Sequence, residues 1–492
     1  MVFDDRVWIA GRSAHNLWGM PTAERKTRDC LGVGLSLSSA ASVPVATRGK
    51  ITILHAFSDT DNAAVPFGSV IHHDGWLYGT TAFTTSGTGN VPVKGGVGGG
   101  AVYAIRPDGT GFRIVKAFSS STDGQNPFQG LTVLGSSLVG VTRNGGQHGS
   151  GTLFSVGLDG TGFTVWHHFT GGDGGAHPYS APVLAGDSLY GLTFLGGRAA
   201  SGVIYSYNVV TSVYAVVHDF AAVGGKPFST LTQVGQWLYG MASDHRSTTD
   251  HGAIFRYRPS DGTYEVVHAF QGGQQGGYPY DSLTWDGGSS LYGTTLGYFP
   301  FAGETVPLAD EGVIFRFNVD TNQYDVIHDF SLTKGDGAKP NSAMLVAPDG
   351  FLYGIAHGTE IWGGVGYECG TLYRLDPDGS NFKVFHTFDS MKSGDTPMRS
   401  LVLLDDALYG TTAFGGIGGG KGNGTVWKFA GPAPSRWPSV AGGCAAFRVM
   451  GSMGRWLWSY ASSRCDTHNG KGSQRKRRSR AAAVHQAGTN TP

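Results

Sequence analysis

The sequence predicts an all-β protein: a seven-bladed β-propeller built from four-stranded antiparallel blades. The first observation behind this prediction is the tripeptide Leu-Tyr-Gly, which returns at intervals of 49 to 61 residues, a period typical of stacked or radially arranged units. The second is composition: 80 of the 492 residues are glycine and 12% are aromatic, which suits many short strands joined by tight turns. The third is that no segment has the periodicity of an amphipathic helix.

Leu-Tyr-Gly is the most regular of the repeated motifs. Six copies are identical and one reads Leu-Val-Gly, and their leucines are Leu77, Leu138 (the variant), Leu189, Leu238, Leu291, Leu352 and Leu408. Seven copies predict seven units that share one core, because neighbouring repeats bury each other's faces.

Four landmarks occur in the same order in every unit. The first is an apolar run ending in x-x-Phe, usually His-x-Phe, at Phe57, Phe118, Phe169, Phe220, Phe270, Phe330 and Phe388. The second is a proline seven to ten residues later, at Pro66, Pro127, Pro178, Pro227, Pro279, Pro340 and Pro397. The third is Leu-Tyr-Gly. The fourth is a glycine before two mostly apolar residues and an aromatic one, at Gly100, Gly151, Gly202, Gly252, Gly312, Gly370 and Gly424.

Each landmark predicts a strand, because short runs of Val, Ile, Tyr and Phe bounded by Gly, Asp and Pro are typical of strands. We letter them A (after the proline), B (Leu-Tyr-Gly), C (after the glycine) and D (His-x-Phe). Asp-Gly pairs such as Asp159-Gly160 and Asp261-Gly262 separate strands C and D and are a strong hairpin signal. Four antiparallel strands repeated without helices are typical of a propeller.

The order of the landmarks also predicts how the ring closes. The array opens with a D strand, Ile51 to Phe57, and ends at Phe429 with strands A, B and C but no D. The N-terminal strand can therefore complete the seventh blade. A ring needs this closure to remove its exposed strand edges, so we expect a propeller domain over residues 50–430 that is a monomer.

Residues 1–49 carry no repeat and are predicted to be a leader. A charged start near Met20, a candidate true start, precedes a weakly apolar run from Cys30 to Ala46, which resembles a secretory signal. We therefore expect an exported protein, extracellular or in the cell envelope. A leader that stays on the mature chain would indicate a cytoplasmic protein instead.

Residues 431–492 are predicted to be a tail of low order. Six basic residues lie among the ten from Lys471 to Arg480, and the apolar part, about Val440 to Tyr460, is interrupted by Arg448 and Arg455. That part is too broken to predict a membrane span. A surface anchor, an electrostatic contact and plain disorder all stay open for this tail. The formal net charge of zero gives no global field for nucleic acid, and we expect no specific nucleic-acid binding.

The motifs Leu-Tyr-Gly-Thr-Thr (77–81, 291–295, 408–412), Gly-x-Ile-Phe-Arg (252–256, 312–316) and Val-x-His-x-Phe resemble the bacterial tandem repeat called GloVer, known from Gloeobacter and Verrucomicrobia. The resemblance covers about residues 50–430. It implies an exported, propeller-type protein and leaves the biochemical role undefined.

The repeated histidines, six in seven D strands, are the most conspicuous chemical pattern. Strand D is the outermost of each blade, so these imidazoles are expected far apart, whereas a metal needs ligands that converge on one ion. We interpret them as packing between blades. Aspartates between strands D and A, such as Asp59, Asp61 and Asp336, lack the full ligand set of a calcium loop and are interpreted as turn residues, with calcium binding left open. We expect no metal, no cofactor and no catalytic set.

Variation between repeats indicates where a ligand binds. From the Gly of Leu-Tyr-Gly to the Gly of strand C the distances range from 11 to 21 residues, so length changes concentrate in the B–C connections. These share one rim with the D–A connections, and function tends to lie on such loops. The candidate ligand-binding residues there are Arg143, His148, His177, His245, Tyr280, Tyr298, Trp362 and Tyr367.

Two functions follow as hypotheses. The first is an exported, non-catalytic propeller that acts as a binding or scaffold module through its loop-bearing face, with a polysaccharide or an envelope protein as partner. The alternative is a lyase or hydrolase with a site at the mouth of the central tunnel. An enzyme should show a convergent acid and base, and here the acidic residues are few and lie mostly in turns.

Overall fold

A computed structural model describes residues 49–84, 99–118, 122–220, 225–243, 250–297, 311–331, 334–358, 370–416 and 423–431. It also describes the backbone of two short strands, Trp8–Ile9 and Arg12–Ser13, which pair with each other. The rest of the predicted leader and tail lies outside the described residues.

The remaining strands form seven sheets, each with the order A-B-C-D, so the predicted fold class is confirmed. The A strands of blades 1 to 7 are Ile71–His73, Thr132–Leu134, Val183–Ala185, Thr232–Val234, Thr284–Trp285, Leu345–Val346 and Asp395–Leu404. The B strands are Trp76–Thr81, Ser137–Thr142, Ser188–Leu195, Trp237–Ala242, Ser290–Thr295, Leu352–Ala356 and Ala407–Phe414.

The C strands are Ala101–Ile105, Thr152–Gly157, Val203–Asn208, Ala253–Arg258, Val313–Asn318, Thr371–Leu375 and Thr425–Ala430. The D strands are Arg113–Ala117, Thr164–His168, Tyr214–Asp219, Thr263–Ala269, Tyr324–Asp329, Lys383–Thr387 and, for blade 7, Lys50–Ala56. Blade 3 has one more short strand, Ala176–Pro178, which pairs with its strand B.

Blade 7 joins the two ends of the array, as predicted. Lys50–Ala56 pairs antiparallel with Thr425–Ala430, with Ile51 opposite Phe429 and Ile53 opposite Trp427. The last strand C of the array is thus covered by the first strand D, and the ring has no open edge there.

Leu-Tyr-Gly packs its blade on both sides. The side chains of Leu77 and Tyr78 are 0% and 2% exposed, and successive side chains of a strand point to opposite faces. Leu77 packs with Tyr409 of blade 7, whereas Tyr78 packs with Leu138 and Phe154 of blade 2. The motif is therefore a packing element that holds each blade between its two neighbours.

Because the strands alternate in direction, the two ends of the ring differ. The B–C and D–A connections lie at one end, which we call the loop end, and the A–B and C–D turns lie at the other, the turn end. Two D–A connections contain a single 3₁₀ turn each, Gly172–Gly174 and Gly273–Gln275. Within the described part of the chain no helix is long and apolar enough to cross a membrane.

Candidate functional site

The landmark proline marks the point where each D–A connection enters its blade, and the residue before it has an unusual backbone. In all seven blades that residue is not glycine and has a left-handed φ between 53° and 61°, at Val65, Asn126, His177, Lys226, Tyr278, Lys339 and Thr396. Non-glycine residues adopt this conformation rarely, and such strain persists only where the surroundings enforce it. The enforcement is a hydrogen bond between blades: the N–H of His177 donates to the carbonyl of Ser150 in blade 2, 2.8 Å away.

The residues after the prolines meet around the axis of the ring. They are Phe67, Phe128, Tyr179, Phe228, Tyr280, Asn341 and Met398. Ring contacts run from blade to blade, with centroids 5.3 Å apart for Phe67 and Phe128, 5.8 Å for Phe128 and Tyr179, 5.1 Å for Tyr179 and Phe228, and 4.9 Å for Phe228 and Tyr280. We call this set the axial ring. Asn341 and Met398 complete it, with Asn341 Nδ2 donating to Met398 Sδ at 3.8 Å.

One residue after each member of the axial ring lies a more polar level, which we call the axial polar level. Its members are Gly68, Gln129, Ser180, Ser229, Asp281, Ser342 and Arg399. The three serines bond within their own blades; Ser342 Oγ, for example, accepts from the N–H of Ile355 at 3.1 Å and donates to its carbonyl at 3.2 Å. Asp281 and Arg399 replace serine in blades 5 and 7 and therefore bring two charges to the axis.

The two charged residues of this level are buried and only loosely paired. Arg399 is 2% and Asp281 4% exposed, and Arg399 Nη1 lies 3.9 Å from Asp281 Oδ1, which is too long for a hydrogen bond. The guanidinium carbon of Arg399 lies 4.9 Å from the centroid of the Tyr280 ring, a cation–π distance. Asp281 Oδ1 accepts instead from the N–H of Ser282 at 2.7 Å.

A second arginine approaches from strand B of blade 2. Arg143 follows that strand, is buried, and holds its guanidinium carbon 5.3 Å from the centroid of Tyr179. Its carbonyl accepts from Nδ1 of His177 at 3.0 Å. Burial raises the pKa of the Tyr280 hydroxyl, and the charges of Arg399 and Arg143 partly offset that rise. The two guanidinium groups thus each lie over a tyrosine of the axial ring, Arg143 over Tyr179 and Arg399 over Tyr280.

The eight residues singled out from the sequence divide into three sets. The structure brings Arg143, His177 and Tyr280 together near the axis, where they are buried or partly buried rather than exposed on loops. His148 is exposed in the B–C connection of blade 2. His245, Tyr298, Trp362 and Tyr367 lie outside the described residues, and ligand binding by any of the eight stays a prediction.

The histidines of the D strands pack between blades, as the sequence indicates. Five of the six stack on an aromatic ring of the next blade: His55 on Phe112, His167 on Tyr214, His218 on Tyr264, His268 on Tyr324 and His328 on Phe382, with centroids 3.6 to 4.0 Å apart. The sixth, His386, packs edge-to-face on Phe388 of its own blade. They do not converge. Among the described residues no group of three or more His, Cys, Asp or Glu side chains could hold a metal ion.

Two solved structures resemble the chain weakly. An oligogalacturonate lyase from Vibrio parahaemolyticus is 13% identical with a TM-score of 0.47, covering 78% of this chain and 94% of that one. TolB from Acinetobacter baumannii is 13% identical with a TM-score of 0.34, covering 57% and 58%. At these scores the likeness carries no information on activity. No curated protein matches the sequence.

The family comparison is specific. A model of the Gloeobacter/Verrucomicrobia repeat matches residues 85–307 and 303–437, which is most of the chain and most of the seven blades. The chain therefore belongs to the Gloeobacter/Verrucomicrobia repeat family.

Proposed function

We propose that this protein is an exported, non-catalytic propeller that acts as a binding or scaffold module and holds its partner, a polysaccharide or an envelope protein, at the loop end. The observation that carries this proposal is the difference between the two ends of the ring. The turn end is uniform and the loop end is not, and binding residues are commonly carried by variable loops on a rigid scaffold.

The C–D turns show how uniform the turn end is. Asp159 Oδ1 accepts from the N–H of Thr161 at 2.9 Å and from its hydroxyl at 2.8 Å. Asp108 with Thr110 and Asp261 with Thr263 repeat this arrangement. The aspartates are used to form turns, so they are engaged with the scaffold. The B–C connections at the other end differ in length between blades, from 11 to 21 residues between their flanking glycines.

Two histidine–aspartate pairs bear on the alternative, an enzyme at the tunnel mouth. His55 Nε2 lies 3.3 Å from Asp61 Oδ2, and His328 Nε2 lies 3.1 Å from Asp336 Oδ2. Both imidazoles stack on the next blade and belong to the outermost strand, so each pair fastens a D–A connection to its strand. An acid and a base set around one cleft are what catalysis needs, and these pairs lie in different blades. This arrangement favours binding.

The test is a screen of the full-length chain against glycan and peptide arrays. We expect a hit whose affinity falls at least tenfold on Trp362→Ala or Tyr298→Ala, which the sequence places in B–C connections. Trp285→Ala is the matched control, because Trp285 lies at the turn end and is 37% exposed. Binding that survives every B–C change, or that Trp285→Ala abolishes, would refute this placement.

Two further readouts separate the remaining hypotheses. Bound saccharide is followed by chromatography, because release of shorter products would identify an enzyme. Intact mass and cell fractionation report export: an unprocessed chain in the cytoplasm would contradict it.

A further inference from the structure

We propose that the axis of the ring is a binding site for a small hydroxycarboxylate, with Arg399 and Arg143 binding its carboxylate and Asp281 its hydroxyl. Asp281 lies just before strand A of blade 5, Arg143 just after strand B of blade 2, and Arg399 within strand A of blade 7. All three side chains are buried, whereas the proposed function uses exposed connections, so this site goes beyond the proposed function and stands or falls separately from it.

Arg399 supplies the strongest argument. Its Nε and Nη1 are buried and have no hydrogen-bond partner among the residues that the structure describes, and a carboxylate oxygen of Asp281 lies 3.9 Å from Nη1. A buried charge is costly unless it is paired and hydrogen-bonded. The guanidinium is therefore presented for an acceptor that the protein does not itself supply, and it is held in place by the ring of Tyr280 at 4.9 Å.

The same level also presents acceptors. Asp281 Oδ2 and Asn341 Oδ1 are buried and accept no hydrogen bond from the described part of the chain, whereas Asp281 Oδ1 already accepts from the N–H of Ser282. An ionised carboxylate can only accept hydrogen bonds. A ligand that pairs with both groups must therefore accept hydrogen bonds from the arginine and donate one to Asp281. An anion that carries a hydroxyl group can do both.

The charges of the buried side chains favour a ligand that is an anion. Arg399, Arg143 and Asp281 are each at most 6% exposed and together carry one net positive charge. Arg143 adds a third unpartnered donor atom, its Nε. Lys339 and Glu311 lie 3.6 Å apart and offset each other. A monoanion completes this balance, and carboxylate is the small organic anion that guanidinium binds best.

The other blades show that packing alone does not require these side chains. At the same position Ser180, Ser229 and Ser342 satisfy themselves within their own blades, each through its hydroxyl and strand B. Serine in blades 5 and 7 would meet the same structural need without placing charge in the core. Arg399 is also the only one of the seven residues at this level with a positive φ, 60°, and backbone strain of this kind clusters at binding sites.

The test measures binding of three matched probes to the full-length protein by ligand-observed NMR and titration calorimetry, in a buffer free of carboxylates. Lactate carries both groups, propionate lacks the hydroxyl, and lactamide lacks the charge. We expect lactate to bind, propionate to bind about tenfold more weakly, and lactamide to show no binding. Absence of lactate binding, or equal binding of lactate and lactamide, would overturn the proposal.

Variants then place the site. Arg399→Lys should weaken lactate at least tenfold. Arg374→Lys is the matched control, because Arg374 also has a buried, unpartnered Nε and stacks on a ring, 3.9 Å from Phe351 in blade 6. Asp281→Ala removes the acceptor and should bring lactate and propionate to equal affinity, and it keeps the test decisive if Arg399→Lys does not fold. Lactate binding unchanged by these axial variants would place the ligand elsewhere and contradict us. Arg399→Lys should leave array hits unaffected, which separates this site from the loop end.

Discussion

The indole of Trp427 lies directly over Gly410 on the neighbouring strand of blade 7, so closely that a Cβ at Gly410 would come within 2.4 Å of indole Cζ2. The same cross-strand pair recurs in every blade, between the glycine of Leu-Tyr-Gly and the aromatic residue of strand C: Gly79 with Tyr103, Gly140 with Phe154, Gly191 with Tyr205, Gly240 with Phe255, Gly293 with Phe315 and Gly354 with Tyr373. The third and fourth landmarks are therefore two halves of one contact.

We expect Gly410→Ala to lower the free energy of unfolding by about 2–3 kcal/mol, because added volume in a packed core forces strain on its neighbours. Urea unfolding at constant pH measures the change. Gly130→Ala is the control: its Cβ would meet only ordinary contacts, the closest 3.6 Å away, and its φ is not left-handed. That variant should stay within about 0.5 kcal/mol of the parent protein. Equal effects at the two positions would contradict the role given to the aromatic ring.

Closure of the ring gives a second prediction. Removing residues 1–57 takes away strand D of blade 7 and exposes the edge Thr425–Ala430, and exposed edges promote association. We expect this truncated chain to aggregate, and a synthetic peptide of residues 49–57 to restore a monomer by adding itself as the missing strand. Size-exclusion chromatography with light scattering gives the readout. A peptide with Ile51→Asp and Ile53→Asp should not rescue; rescue by it, or a truncated chain that stays monomeric alone, would show that closure does not depend on this strand.

The blade architecture can be predicted from the sequence because every repeat contains the same strand motifs in the same order. The spacing of Leu-Tyr-Gly predicts seven blades, and the unmatched D strand before Phe57 predicts the closing strand that pairs with Thr425–Ala430. Both follow from local patterns. The histidines too are predictable, since a position on the outermost strand keeps six repeated imidazoles apart.

The axial site could not be predicted in this way, because it depends on how closely residues of different blades approach each other. Arg399 and Asp281 are 118 residues apart and occupy the same position of two different repeats, so aligning the repeats shows that they are equivalent but not that they approach. Their distance depends on the radius of the ring and on side-chain length. One sequence pattern does indicate the axial ring. Five of the seven landmark prolines are followed by Phe or Tyr, which is a second position that repeats in the blades.

The left-handed residue before each proline gives a third prediction. Thr396 in blade 7 has a φ of 57° and is β-branched, whereas blade 2 has Asn126 there with a φ of 58°. Asparagine tolerates this conformation far better than a β-branched residue. We expect Thr396→Asn to stabilise by about 0.5–1 kcal/mol, because the left-handed conformation costs an ordinary L-residue about 1–2 kcal/mol and asparagine is spared part of that cost.

The reciprocal change, Asn126→Thr, serves as its counterpart. It should destabilise by about 1–3 kcal/mol, because it adds the strain and also removes the hydrogen bond from Asn126 Nδ2 to the carbonyl of Ala82, 2.9 Å long. Thermal unfolding of both variants measures these two changes in stability. If Thr396→Asn destabilises, packing around Thr396 outweighs its backbone conformation.

The stacked histidines make stability depend on pH. The ring of His167 lies nearly parallel to that of Tyr214, with centroids 3.6 Å apart, and no described residue hydrogen-bonds its buried Nε2. Burial, helped by the nearby charges of His168 and His148, lowers the pKa of His167 from 6.5 to about 4. Burial likewise lowers the pKa of His218 and of His268. Protonation of these side chains is therefore easier in the unfolded chain than in the folded one.

Because the folded-state pKa of His167 is the lower one, the unfolded chain binds more protons between pH 6.5 and about 4, and stability is lost as pH falls through that window. Above pH 6.5 the imidazole is neutral in both states and its contribution is complete. We expect the urea concentration at the unfolding midpoint to fall continuously from pH 7 to pH 4. His167→Gln should reduce the slope of stability against pH by an amount that corresponds to at most one bound proton. His72→Gln, which changes an exposed histidine of blade 1, should leave the slope as it is. A decline equally steep in the His167 variant would mean that carboxylates rather than the stacked imidazoles control the acid sensitivity of the ring.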